Sequence, residues 1–233
     1  MKIRYIYIAL VLIAAIVVIV FSMSNFKLST QSAQAVFQNI SPASSGSVRG
    51  LNPSVALGQI AGASIIAPQL SMPISAGLSR VTKKPYGLFV TPQTSPVPDD
   101  IFTGYHTGID FETTPAEQNT DVTITAACDG TVLLKEWATG YGGVFVQSCK
   151  LDGQDVTVIY GHLNLDSITP IVGQTITAGD KIGNLGQGFT HETDGRRMHL
   201  HFDIHKGTEI NILGYVPNQS DLTNWLDPMK YLQ

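Results

Sequence analysis

The sequence predicts an all-β domain held behind an apolar N-terminal segment and a low-complexity tether. Two observations predict the β domain. From Met72 onward, short β-branched runs are broken by Gly, Asp-Gly and Pro, with turn signals about every 8–12 residues. No stretch there alternates strands with helical patterns as a βαβ unit would, so the runs belong to a sandwich or barrel. A third observation sets the N-terminal boundary: before Met72 neither a helical nor an alternating period is sustained, apart from one uncharged apolar run.

That run, Tyr5 to Phe21, follows Lys2 and Arg4 and holds no charged residue. As a helix it is about 26 Å long, enough for a hydrocarbon core. The flanking positive charges favour a cytoplasmic N-terminus. Residues 1–23 are therefore expected to be a cytoplasmic stub and transmembrane anchor, with the remainder outside the cytoplasm. The competing reading is a signal peptide cleaved near Ala33-Gln34-Ala35, which would release a secreted protein. Residues 24–71, rich in Ser, Ala, Gly, Asn and Gln, read as a tether.

Charge divides along the same line. Residues 1–69 hold four basic residues (Lys2, Arg4, Lys27, Arg49) and no acidic one. Residues 70–233 hold ten basic and all eighteen acidic residues, a formal −8 that brings the chain to −4. An exported acidic domain lacks the Lys/Arg surface that phosphate contacts require, which argues against nucleic acid as a partner.

Within residues 72–233 the expected strands are Val122–Ala127, Gly130–Leu134, Val144–Ser148, Val156–Tyr160, Ile176–Thr177, Lys181–Leu185 and His199–Ile204. The second and third form a hairpin through Gly140-Tyr141-Gly142-Gly143. Placing Leu134 opposite Gly143 also sets Cys128 opposite Cys149, the only two cysteines. In an oxidising compartment that pair is expected to be a disulfide.

All six histidines follow residue 105. In the last expected strand His199, His201, Asp203 and His205 share one face, and Leu200, Phe202 and Ile204 the other. His106 and Asp110 stand four apart, about 13 Å in a flat strand, so the segment must bend at Gly108 for both to reach one ion. With one histidine of the His199/His201 pair they make a His₂Asp set, which leaves an open fourth position as catalytic zinc sites do. His162, at a strand end, and the remaining histidine of the pair are then free to handle protons.

Residues from about Met72 to Leu232 resemble the lysostaphin/LytM-type zinc endopeptidases of bacterial cell walls. The resemblance runs through Tyr86-Gly87, His106-Thr107-Gly108-Ile109-Asp110-Phe111, Ala127 to Val132, Gly140 to Gly143 and Tyr160-Gly161-His162-Leu163. It continues through Val172-Gly173-Gln174, Ala178 to Gly183, His199-Leu200-His201-Phe202 and Asp227-Pro228. It implies an antiparallel β-sandwich of the LytM (duplicated hybrid motif) type over residues 72–233, with one Zn²⁺ held by His106, Asp110 and His201. It also implies His162 and His199 as catalytic histidines, and a peptidoglycan peptide as substrate, cut by a zinc-activated water.

Some features depart from the family pattern. Leu88 follows Tyr86-Gly87 where an Arg is common. Thr190–Arg197 replaces a loop usually built of small residues and bordering the groove in relatives. Tyr105 is the nearest candidate for the oxyanion-stabilising Tyr of some relatives. His191 and His205 match no family position and are expected at the surface. The expected activity is a membrane-anchored peptidoglycan endopeptidase. The alternatives are a non-catalytic LytM-type domain that binds cell wall or regulates a partner hydrolase, and a structural β-domain whose histidines hold no metal.

Overall fold

Three long runs, each dense in β-branched or aromatic residues, form the spine of the fold in the computed structural model, which describes residues 70–232. They are β5 (Gly130–Ala138), β6 (Gly142–Leu151) and β7 (Gln154–Leu163), preceded by β1 (Phe89–Val90), β2 (Gly104–His106), β3 (Ile109–Glu112) and β4 (Thr123–Thr125). After them come β8 (Thr175–Ile176), β9 (Lys181–Asn184), β10 (His199–Lys206), β11 (Tyr215–Val216) and β12 (Trp225–Leu226). The main sheet is antiparallel in the order β12-β10-β7-β6-β5-β8, and β3 pairs along the first half of β10. Two small sheets, β1-β2-β11 and β4-β9, complete an all-β architecture with only short 3₁₀ turns. Among the described residues no helix is long and apolar enough to cross a membrane. The expected anchor and nearly all of the tether lie outside the described residues. Leu70, expected in the tether, already pairs with Leu232.

Alternation decides the two faces of the sheet. Phe145, Val158, Tyr160, Leu200, Phe202 and Ile204 point to one side and meet Ile109 and Phe111 of β3 and Ile124 and Ile182 of the β4-β9 pair in the main core. Phe202 is fully buried, with its ring edge-on to Tyr160 at 5.3 Å. The opposite side carries a smaller cluster of Tyr141, Val144, Val146, Ile159 and Trp225. The polar residues of β10 belong to this second side.

The β5–β6 hairpin corrects the expected register. Leu134 pairs with Val146, and it is Trp137 that faces Gly143, because β5 continues to Ala138 before the chain turns. A register shift between Val132 and Leu134 takes back part of the offset. Cys128 and Cys149 still meet in the expected disulfide, with Cα atoms 6.0 Å apart.

His205 is also corrected. It is buried, not at the surface, and its ring lies edge-on to Trp225 at 4.7 Å, because β12 covers the end of β10. His191 is exposed as expected, and stacks on Trp137 at 4.9 Å.

Candidate metal centre

Strand pairing brings the polar residues together. His201 of β10 lies between Asp110 of β3 and Gly161 of β7, so three neighbouring strands supply one spot on the second face. The bend expected between His106 and Asp110 is present, as β2 ends at His106 and β3 begins at Ile109. Gly108 serves it by close approach: a Cβ there would stand 2.2 Å from the Phe202 carbonyl oxygen and 2.1 Å from Asp203 Oδ1. A side chain at 108 would therefore push β3 away from β10.

His162 reaches the site through a β-bulge. Regular pairing puts Ile159 and Gly161 on the site's face of β7, so His162 has the wrong parity. Between β6 and β7 the register shifts: Gly143 faces Leu163 and Val144 faces Gly161, which leaves His162 unpaired. His162 takes a left-handed backbone with φ 63°. Strain of this kind in a non-glycine residue persists where its surroundings impose it, often at functional sites. The bulge brings the His162 ring to 4.2 Å from that of His199. Gly161 leaves room for the ring of Tyr141, which a Cβ would meet at 2.3 Å.

Three atoms converge at the centre. His106 Nε2 is 3.0 Å from His201 Nδ1 and 3.3 Å from Asp110 Oδ1, and the last two are 3.0 Å apart. Ligands about 2.0–2.1 Å from a tetrahedral ion stand about 3.3 Å from one another, so this triangle fits one face of a zinc site. The other ring nitrogens agree. His106 Nδ1 donates to the Pro85 carbonyl at 3.2 Å, leaving the Nε2 lone pair for an ion. His201 Nε2 donates to Asp203 Oδ2 at 2.8 Å, which frees Nδ1 in the same way. His106, Asp110 and His201, all buried, could hold a metal ion.

His199 is held differently. Its Nδ1 donates to the Arg197 carbonyl at 2.8 Å, and its Nε2 faces Asp110 Oδ2 at 3.4 Å, outside the triangle. His162 Nδ1 is buried with no hydrogen-bond partner among the described residues. An unpaired buried imidazole nitrogen beside a ligand triangle suits a group that exchanges protons with a bound molecule.

Electrostatics separate the histidines. Burial, reinforced by the charges of His199 and His201, holds His162 well below its ordinary pKa. Burial and the Arg197 charge lower His199 as well. Burial also opposes charging His201, but Asp203 and Asp110 outweigh it and push its pKa up to about 9. Burial disfavours the Asp110 carboxylate, yet His199, His106 and Arg197 together hold it well below the usual range.

The triangle opens on a groove of about 680 Å³ lined by both catalytic candidates, Tyr141, Tyr215 and two loops. One wall is the Val97–Phe102 strap, anchored where Asp100 accepts from Lys84 Nζ and from Ser95 Oγ at 2.6 Å. The other carries Phe189 and, from the loop that the family resemblance put beside the groove, Arg196 and Arg197. Tyr105 does not line it; its ring packs on Phe89 at 4.8 Å because β2 turns that side chain away. Sequence reasoning gave no role to Asp203 or Arg197. Asp203 was legible as the next residue on the face of His201, and Arg197 as a charge in a loop expected to be small.

Among solved structures the chain is similar to Csd3 of Helicobacter pylori (24% identity over 64% of this chain and 35% of that one, TM-score 0.38). It is similar to a zinc-containing peptidase of Vibrio cholerae (22%, 57% and 35%, TM-score 0.36) and to LytU (25%, 66% and 90%, TM-score 0.42). It spans about a third of the length of the first two. No curated protein matches it. Residues 104–212, which hold all three triangle residues and both further histidines, match peptidase family M23.

Proposed function

We propose that the protein is a zinc metalloendopeptidase that hydrolyses peptide bonds in peptidoglycan stem peptides or cross-bridges, held outside the cytoplasm by its N-terminal segment. The observation that carries this reading is the triangle of His106 Nε2, Asp110 Oδ1 and His201 Nδ1 beside two buried histidines in an open groove. His106, Asp110 and His201 would be the ligands. Zinc in such a site polarises the scissile carbonyl and lowers the pKa of water.

His162 and His199 supply the proton chemistry. Both have lowered pKa values, so both are neutral near pH 7 and able to accept a proton. One imidazole takes the proton from the attacking water. The other can donate to the developing oxyanion, and the proton gained then passes to the leaving amine. The groove walls keep the peptide extended across the sheet and limit water around the reacting carbonyl.

One observation favours a second reading, a non-catalytic LytM-type domain that binds cell wall or regulates a partner hydrolase. Arg197 Nη2 donates to Asp110 Oδ2, so a cation already lies against the carboxylate of the triangle. Incubating the zinc-loaded protein with isolated peptidoglycan, with and without chelator, separates the readings. New amino termini that disappear with chelator, identified by mass spectrometry, establish the peptidase and its bond. No release by a folded, zinc-loaded sample establishes the second reading.

A further inference from the structure

Four cations line the groove, and three are neutralised by carboxylates. Lys83 Nζ is 3.2 Å from Glu112 Oε2, Lys84 pairs with Asp100, and Arg197 pairs with Asp110 and Glu112. Arg196 is the exception. Its Nε donates to the Asp194 carbonyl at 3.1 Å, and its guanidinium lies over the Phe102 ring at 5.8 Å. Among the described residues no carboxylate lies within ion-pair distance of it, and the Asp194 carboxylate accepts from the Gly140 N–H instead.

The position of Arg196 relative to the triangle is defined by stacking. Phe102 stacks on Tyr215 with ring centroids 5.0 Å apart, and Tyr215 lies 5.2 Å from the ring of His106. A ladder of rings thus links the half-buried guanidinium to a ligand candidate, with Arg196 at most about five residues of extended peptide from the centre. The Phe102 ring beneath the guanidinium lowers the polarity on that side, which strengthens any charge pairing there. The two terminal NH₂ groups of the guanidinium match the two oxygens of a carboxylate. In a domain of formal charge −8, such an unpaired cation selects one anionic group and does not create a generally anion-attracting surface.

We propose that Arg196 is a specificity residue that binds a carboxylate of the substrate peptide, within about five residues of the scissile bond. This rests on the peptidase reading for its substrate class. Peptidoglycan stem peptides carry such a group on their glutamyl residue, which occurs as a free carboxylate or as an amide. The inference is therefore that the protein prefers stems whose glutamyl carboxylate is free.

The test uses cross-linked muropeptide dimers with that carboxyl free or amidated. Cleavage is measured with the zinc-loaded protein, and binding with the His162→Ala variant. The expected result is a preference for the free carboxyl of about tenfold, lying in KM and in Kd with kcat unchanged. Arg196→Gln should erase it by weakening only the carboxylate probe, and Arg196→Lys should keep part of it. Equal handling of the two probes, or a preference that survives in folded Arg196→Gln protein, overturns the proposal. Failure to cleave either probe counts against the peptidase reading, while the binding preference of His162→Ala still decides the role of Arg196.

Discussion

Arg197 and Asp110 are joined by a hydrogen bond of 2.7 Å from Nη2 to Oδ2, while Oδ1 of the same carboxylate faces His106 and His201. The two oxygens thus have separate tasks, and the guanidinium fixes how the carboxylate is turned. Glu112 holds Arg197 from its other side, through Nε at 3.0 Å. Replacing Arg197 by Gln removes that clamp and leaves the buried Asp110 carboxylate beside the partly buried Glu112, which keeps its pairing with Lys83. Zinc affinity, measured by competition with a chromophoric chelator, should weaken about 10–100-fold, the usual cost of losing a partner behind a ligand. Affinity unchanged or improved would mean that the cation opposes the metal and that the second functional reading is the better one.

Asp203 supports the other ligand. By accepting from His201 Nε2 it fixes the proton there and leaves Nδ1 to the ion. Asp203→Ala should therefore weaken zinc binding by about 10–100-fold, and Asp203→Asn by less because an amide oxygen can still accept. A purely structural role would instead lower thermal stability without moving metal affinity.

His162 and Asp110 should separate cleanly. His162→Ala is expected to keep zinc at full stoichiometry while turnover falls by about 10²–10⁴-fold, the range for a lost general acid or base. Asp110→Ala should lose the metal itself. Metal content by elemental analysis, beside muropeptide cleavage, checks both. Undiminished cleavage by His162→Ala would remove it from the mechanism.

The legible and illegible parts of this protein differ in what determines them. The strands β5, β6, β7 and β10 were legible because they are β-branched or apolar runs set between turn signals. The two-residue strands β1, β11 and β12 carry no such pattern, since two residues cannot show a period and their pairing is set by what packs nearby. His106, Asp110, His162, His199 and His201 were readable from spacing and family resemblance. How His162 enters the groove was not, because it depends on a bulge opposite Gly143–Val144 that reverses the parity of the strand. Tyr141 and Tyr215 reach the groove from a turn and a short strand far away in sequence, and only tertiary structure brings them there.

The disulfide is expected to contribute to stability. Cys128 and Cys149 are separated by 21 positions, and closing a loop of that size stabilises the folded state by about 3 kcal/mol in the chain-entropy account. Replacing both by Ser should lower the melting temperature by roughly 6–12 °C for a domain of this size. Scanning calorimetry of the double variant, with the parent protein before and after reduction, measures it.

Asp100 gives the groove wall a defined response to pH. Its carboxylate is buried, which disfavours the charge, but the bonds from Lys84 and Ser95 outweigh that and lower its pKa from the ordinary value. An unfolded Asp titrates near 3.9, so the contribution of this group is complete above that pH. It is lost only as pH falls through the lower folded value. The strap from Val97 to Phe102 should therefore keep its anchor through neutral and mildly acidic conditions. Asp100→Asn leaves Lys84 buried without a charge partner, at a cost of about 3–5 kcal/mol. Its stability should then change less with pH on the acid side, because one carboxylate with a lowered pKa is gone. Urea unfolding of both proteins from pH 7 down to pH 3 checks this. Parallel acid limbs for the two proteins would show that Asp100 titrates alike in the folded and unfolded chain, so that Lys84 and Ser95 do not lower its pKa.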